Sequence, residues 1–344
     1  MKSKLTDANF PTTADGRVYH LGFRAGEVAN RIVTVGSPSR AATLASLLDA
    51  SPPPFKLETE RGFLTITGRY ASVPVSIVSI GMGAPNCDFF TPYREARECI
   101  SGDMIVIRLG SCGSLTDLPV GSLVVPRASV AVARNYDFNF LAPESDSSAA
   151  YRISNPVSAD KDLHQLISDD LRSSIHELEV EVAHNVLNAS ADSFYSSQGR
   201  QTSFRDHNSG LIDRLLKDVP DIATLEMETF HLFHLAACWR PPTSPVDTPP
   251  EAPPVPDRPL NLTLTNGSKS TNPSDLAVTS IEGSRIRAAS VHMVFAQRDS
   301  RDFISPEQVH KTEMWVSRRI LECLAKVDIP ENRMHELAGS VWEI

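Results

Sequence analysis

Val106-Ile107-Arg108-Leu109-Gly110-Ser111-Cys112-Gly113-Ser114 decides how the rest of the chain is read. Met104–Leu109 is apolar and partly β-branched apart from one arginine, the pattern of a strand covered on both faces. The small residues after it predict a glycine-rich turn at the strand's end. Arg108 beside such a turn suits an oxyanion, because backbone N–H groups and a hydroxyl converge there and the guanidinium adds a forked charge. Outward from this strand, Ile32–Val35, Val73–Ile80, Ser122–Val125, Val130–Ala133, Val180–Leu187 and Arg287–Phe295 read as further strands. Between them Arg40–Leu48, Pro92–Ile100, Lys161–Ile175, Thr229–Trp239 and Pro306–Val327 read as helices. Strands alternating with helices of this length predict an α/β domain with a mixed, largely buried sheet.

The chain has 344 residues and 41% hydrophobic content, enough to bury a large core. A formal charge of −9 and the lack of any long Lys/Arg run argue against nucleic acid or a membrane surface as partner. An anionic ligand must then be held by a few local arginines. No apolar run approaches the ~18 residues of a membrane span, and polar Met1–Arg17 lacks the apolar core of a signal peptide. Five scattered cysteines (Cys87, Cys99, Cys112, Cys238, Cys323) form no C-x-x-C pair, which predicts a reduced, cytoplasmic protein without a metal site. The sequons at Asn188, Asn261 and Asn266 are then expected to be silent. Nine prolines fall between Pro241 and Pro259, followed by a Thr/Asn/Ser-rich stretch. Residues 240–280 are therefore expected to form a flexible surface insertion in one domain spanning 1–344, either a plain loop or a proline-rich docking ligand.

Three more segments carry chemistry. Gly36-Ser37-Pro38-Ser39-Arg40 lies between a strand and a helix, where backbone amides and a helix dipole attract an anion. Leu225-Glu226-Met227-Glu228-Thr229 places two acids around a methionine where an apolar helix begins. Such acids can hold a polyhydroxylated ligand while the thioether packs on its apolar face; the plainer alternative is a pair of solvated helix-start acids. Asp192-Ser193-Phe194-Tyr195-Ser196-Ser197-Gln198-Gly199-Arg200 follows a strand and offers an aromatic ring, an amide with donor and acceptor, and a guanidinium. Alone it would be a polar turn.

On these segments, over residues 18–240 and 285–326, the chain resembles the nucleoside phosphorylase-I family, in particular its uridine phosphorylase branch. The resemblance implies a single α/β domain whose mixed, partly barrel-like sheet is flanked by helices. It also implies homodimers or homohexamers with active sites shared between subunits. The implied reaction joins nucleoside and phosphate to give free base and ribose 1-phosphate, with no cofactor and phosphate as co-substrate. For phosphate it points to Gly36, Arg40, Arg108 and Ser111, with Arg61 of Glu60-Arg61-Gly62-Phe63 lent by a neighbour. For ribose it points to Met227 and Glu228, with Glu226 supporting, and to His20 of Tyr19-His20-Leu21-Gly22 reaching across the subunit boundary. For the base it points to Phe194, Gln198 and Arg200, with Arg298 ordering the loop. Catalysis would fall to Arg200, Gln198, Glu228 and Arg108.

Ser37 departs from the aspartate usual in the family, though serine still caps a helix. Gly62 stands where some relatives carry an acid for a monovalent cation, so no ion is expected. A purine nucleoside phosphorylase is the nearest alternative, because Asp299 lies near the place of an acid that would protonate purine N7. A water-using nucleosidase, or an inactive storage or interaction protein docking through 240–280, are the others.

Overall fold

A computed structural model describes residues 4–90, 95–178, 180–239 and 283–344. The expected insertion at 240–280 and part of the helix expected over Pro92–Ile100 lie outside the described residues. A small hairpin, β1 (Leu5–Thr6) with β2 (Thr12–Thr13), precedes the main sheet. The sheet holds β3 (Arg31–Val35), β4 (Phe55–Glu58), β5 (Leu64–Tyr70), β6 (Val73–Ser79), β7 (Met104–Ser114), β8 (Leu123–Val125) and β9 (Ala128–Arg134). It continues through β10 (Tyr151–Ile153), β11 (Val157–Ser158), β12 (Val182–His184), β13 (Leu187–Ala191), β14 (Ile222–Glu226) and β15 (Ile286–Gln297). Its main path runs β10-β9-β13-β14-β7-β3-β6-β5-β4, with β15 on β7 and β8. The helices are α1 (Pro38–Ala45), α2 (Ala84–Phe90), α3 (Lys161–Ser174), α4 (Leu211–Asp218), α5 (Thr229–Cys238) and α6 (Pro306–Lys326).

Alternation along β7 sorts its side chains to opposite faces. Ile105, Ile107 and Leu109 join a core with residues of α1, α3 and α6, while Met104 and Val106 pack with Leu232 and Phe233 of α5. Arg108 shares the parity of this second set, so the strand aims its one charge away from the larger core.

The strand also forks. β3 pairs in parallel with β7 as far as Leu109, and β14 pairs antiparallel with Gly113 and Ser114. Between them Gly110, Ser111 and Cys112 have no ladder partner on that side. β3 and β14 therefore part, and the parted ends open a cleft at a switch of strand direction, a usual place for ligands in α/β sheets.

Several local expectations need correction. Gly110–Ser114 is not a turn but the continuation of β7, held in register by β15. An added Cβ on Gly110 would lie 3.3 Å from both Arg108 Nε and His292 Cδ2, so glycine there serves close packing rather than chain reversal. Val180–Leu187 is split into β12 and β13 around Asn185, which has a φ of 62°. Of the helix expected over 92–100, the described part, 95–100, holds a short 3₁₀ turn at Arg97–Cys99, and helix α2 lies before it. β4, β5 and α4 were not foreseen. Among the described residues no helix is long and apolar enough to cross a membrane.

Candidate active site

A cavity of about 320 Å³ sits in the fork. Gly36, Ser37, Arg40, Arg108, Ser111, Met227, Glu228, Phe194, Gln198 and Arg200 all line it. The four separate sequence segments thus share one space.

The floor is built by β7 and by the entry to α1. Ser37 caps α1, accepting from the Arg40 amide at 3.3 Å, and Pro38 fits the first helical position. On the forked side of β7, Ile105 N donates to Asn30 O and Leu115 N to Ala223 O. Odd-numbered amides therefore face this side, and Ser111 is the odd residue between the two partner strands. Its N–H looks into the gap. Arg108, 4% exposed, makes a hydrogen bond through Nη2 to Glu228 Oε2, and its Nε lies 3.5 Å from Glu226 Oε2. Its buried Nη1 has no hydrogen-bond partner among the described residues. A buried donor left unmatched costs about 1–3 kcal/mol, so the floor is poised for an acceptor.

The two acids differ in kind. Glu226 ends β14, and its carboxylate is fully used, accepting from Asn188 Nδ2 at 2.8 Å, Ser190 Oγ and the amides of Glu228 and Thr229. Burial alone would raise its pKa, but His292, Arg108 and these hydrogen bonds hold it below the usual carboxylate range. Glu228 is the N-cap of α5 and accepts from Arg108 and the Gly83 amide. Burial, with the neighbouring Glu226 charge, raises its pKa despite Arg108. Glu226 is thus the fixed anchor, and Glu228 the acid whose partners can be exchanged for a ligand's hydroxyls.

On the opposite wall, Gly199 has a φ of +67°, and a Cβ there would meet Ile212 Cγ1 at 2.8 Å. This tight turn brings Gln198, 4% exposed, and Arg200 together. Arg200 Nη1 donates to Gln198 Oε1 and, at 2.7 Å, to Phe194 O, and its guanidinium lies 3.9 Å from the Phe194 ring centroid. One face of Phe194 is therefore occupied by Arg200. Burial and the nearby Arg298 lower the Arg200 pKa to about 10, so it remains a cation at neutral pH.

Three expected site residues stand off the wall. Arg298 is near enough to Arg200 for its charge to act on it, and its amide donates to Ser114 O at 3.2 Å. Exposed Arg61 bonds the Tyr19 hydroxyl and lies 5.0 Å from that ring's centroid, and the rings of Tyr19 and His20 are 4.7 Å apart. His20 also engages Glu95. The two residues assigned to a neighbour's site therefore share one patch outside this chain's own cavity. Asp299 is exposed and does not line the cavity.

Among the residues matched by family comparison, positions 30–241 fit the phosphorylase superfamily. The chain belongs to the phosphorylase superfamily. A uridine phosphorylase of Thermococcus kodakarensis is 29% identical over 241 residues, covering 69% of this chain and 78% of that protein. A solved structure of uridine phosphorylase from the oomycete Phytophthora capsici is 34% identical with a TM-score of 0.77, covering 95% of this chain and all of the other. A purine nucleoside phosphorylase of Lactococcus lactis is 30% identical over 164 residues, 44% of this chain and 66% of its own length. Pyrimidine relatives thus match further along the chain than this purine one.

Within this phosphorylase-superfamily cavity, sequence reasoning missed Met82, Cys112, Phe295 and Phe303 on the wall. Met82, between Gly81 and Gly83 after β6, carried a legible strand-end signal; Phe295 and Phe303 come from a distant segment with none. His292 was missed too. It is completely buried, with Nε2 at 2.6 Å from Ser290 Oγ and 2.8 Å from Thr229 Oγ1. Burial pushes its pKa down to about 4, outweighing the Glu226 charge. The folded protein thus binds this proton less readily than the unfolded chain, where histidine titrates near 6.5. Stability from this group is complete above about pH 6.5 and is lost as pH falls to about 4, by up to ~3 kcal/mol. Urea midpoints from pH 7 to 4.5 should fall more steeply for the parent than for His292→Gln; equal slopes would remove His292 from the acid limb.

Proposed function

We propose that this chain is a uridine phosphorylase, a pentosyltransferase that reversibly converts uridine and phosphate into uracil and ribose 1-phosphate. The observation that carries this is the unmatched Arg108 Nη1 on a floor facing the Ser111 amide, in one cavity with the Gln198–Arg200 pair. Phosphate rests on Gly36, Arg40, Arg108 and Ser111. Ribose lies above it, with its hydroxyls on Glu228 and its apolar face on Met227. The base meets Phe194, Gln198 and Arg200, with Arg298 near Arg200.

A phosphate oxygen forms the new bond to the anomeric carbon as the C–N bond breaks. The electron pair leaves with the base, which later takes a proton from solvent. Positive charge building on the sugar faces Glu228, and negative charge on the departing base faces Arg200. Phosphate is the nucleophile, so the chain supplies position and charge rather than a side-chain nucleophile. Resident cofactors and metals are not required by this scheme.

Arg40 and Arg108 are matched within the chain by Glu313, Glu226 and Glu228. Two guanidiniums against three carboxylates leave a dianion short of positive charge. This supports a shared site in which Arg61 of a second copy completes the phosphate grip and its His20 reaches the 5′-hydroxyl. The same reading makes 1–344 one catalytic domain working in the cytoplasm.

Uracil release from uridine should require phosphate and rise with its concentration, while inosine under the same conditions should turn over at least ~10²-fold more slowly. Uracil release at the same rate without phosphate would make the chain a nucleosidase. Preference for inosine would make it a purine phosphorylase.

A further inference from the structure

We infer that Glu313 is a positioning residue for phosphate, acting through Arg40. This rests on the phosphorylase reading of the cavity and assigns a role to a residue outside its wall. Arg40, in the first turn of α1, carries its guanidinium between two elements that no local sequence links. From α6, Glu313 Oε2 accepts from Arg40 Nε at 3.0 Å, with side chains only 9% and 13% exposed. From β7, the Leu109 carbonyl accepts from Nη1 at a longer 3.4 Å. The guanidinium also lies 5.8 Å from the Phe295 ring centroid. Among the described residues Nη2 has no hydrogen-bond partner, and Arg40 lines the cavity beside Arg108.

A long side chain held at Nε cannot rotate its fork, so the remaining edge is presented in one orientation. Loss of that anchor leaves the weaker carbonyl contact and returns rotamer freedom that phosphate binding must then remove. Glu313 also has an opposing effect, because its charge repels the dianion. The geometry places Glu313 on the Nε edge, with the guanidinium's own charge between it and the ligand. Orientation and repulsion act in opposite directions on affinity, so a single variant would confuse them.

Glu313→Gln and Glu313→Ala separate the two effects. Both remove the charge, and only glutamine keeps an acceptor for Nε–H. The KM for phosphate of the alanine variant should exceed that of the glutamine variant by roughly five- to tenfold, the scale of one typical net hydrogen bond, with the uridine KM of the two within about twofold. In an Arg40→Met background the ratio should fall to one. Phosphate-induced shifts in Tm, read without turnover, should follow the same order. If Glu313→Ala does not fold, Glu313→Leu replaces it. Equal phosphate KM for the pair, or a ratio that survives loss of Arg40, overturns the inference while leaving a phosphate-dependent enzyme in place. Phosphate-independent uracil release by the parent protein overturns the phosphorylase reading and this inference with it.

Discussion

Arg108→Ala should lower kcat/KM for phosphate by up to about 10³-fold, the largest loss expected from any single change in the cavity. Removing a fork that contacts a developing charge in a dry site costs about 3–4 kcal/mol of transition-state stabilisation, and the same change strips two carboxylates of their counter-ion. Arg108 is the cation hydrogen-bonded to Glu228 and 3.5 Å from Glu226. Without it a buried carboxylate must take up a proton, which at pH 7 costs about 3–4 kcal/mol for a group of ordinary pKa near 4.3. That figure is the ceiling on the stability loss. Glu228, already raised by burial, is the acid that will protonate. Below pH 5 protonation costs little, so the stability gap between variant and parent should narrow there. Denaturant midpoints at pH 7 and 5, together with phosphate saturation curves, check both halves. A variant as active as the parent would end the assignment of Arg108 to phosphate.

Arg200→Ala should reduce kcat on uridine by about 10²–10³-fold, with a smaller change in the KM for phosphate. Its guanidinium is held by Gln198 and the Phe194 carbonyl, which keeps its charge aimed at one place. The contact strengthens as the base takes on negative charge, so its loss falls on the transition state rather than on ground-state binding. A uridine analogue with an electron-withdrawing group at the 5-position carries that charge more easily. Its turnover should therefore suffer less from the substitution, and an equal deficit on both substrates would refute a leaving-group role. Phe194 enters the same test. With the guanidinium gone, the covered face of its ring is free, and base affinity should be preserved better than rate.

Much of this cavity was readable from residue types, because its polar parts lie in short strand-end segments. Arg108 stands alone in an apolar run, and Glu226 and Glu228 flank a methionine at a strand-to-helix passage. What escaped was set by tertiary pairing. Gly110–Ser114 has the composition of a turn, and the ladder with β15, joined at its end by β14, makes it a strand. β4 is a four-residue edge strand whose register comes from β5, and β5 alternates apolar and polar residues in sequence yet is buried along nearly its whole length between β4 and β6. His292 looked like one more residue in an apolar run, since nothing local shows that Ser290 and Thr229 will meet its ring. Glu313 resembles any helix-surface acid until α6 is packed against α1. The equivalence of Arg61 and His20 to a neighbour's residues came from resemblance alone.

The separation of β3 from β14 has an evolutionary consequence. The donor that Ser111 offers to the cleft is main-chain, so among point substitutions only one to proline would delete it, whereas the groups proposed to read the base sit on a loop joined to the scaffold at its two ends. A change of base preference would then fall on 192–208 and leave the main-chain donor at Ser111 in place.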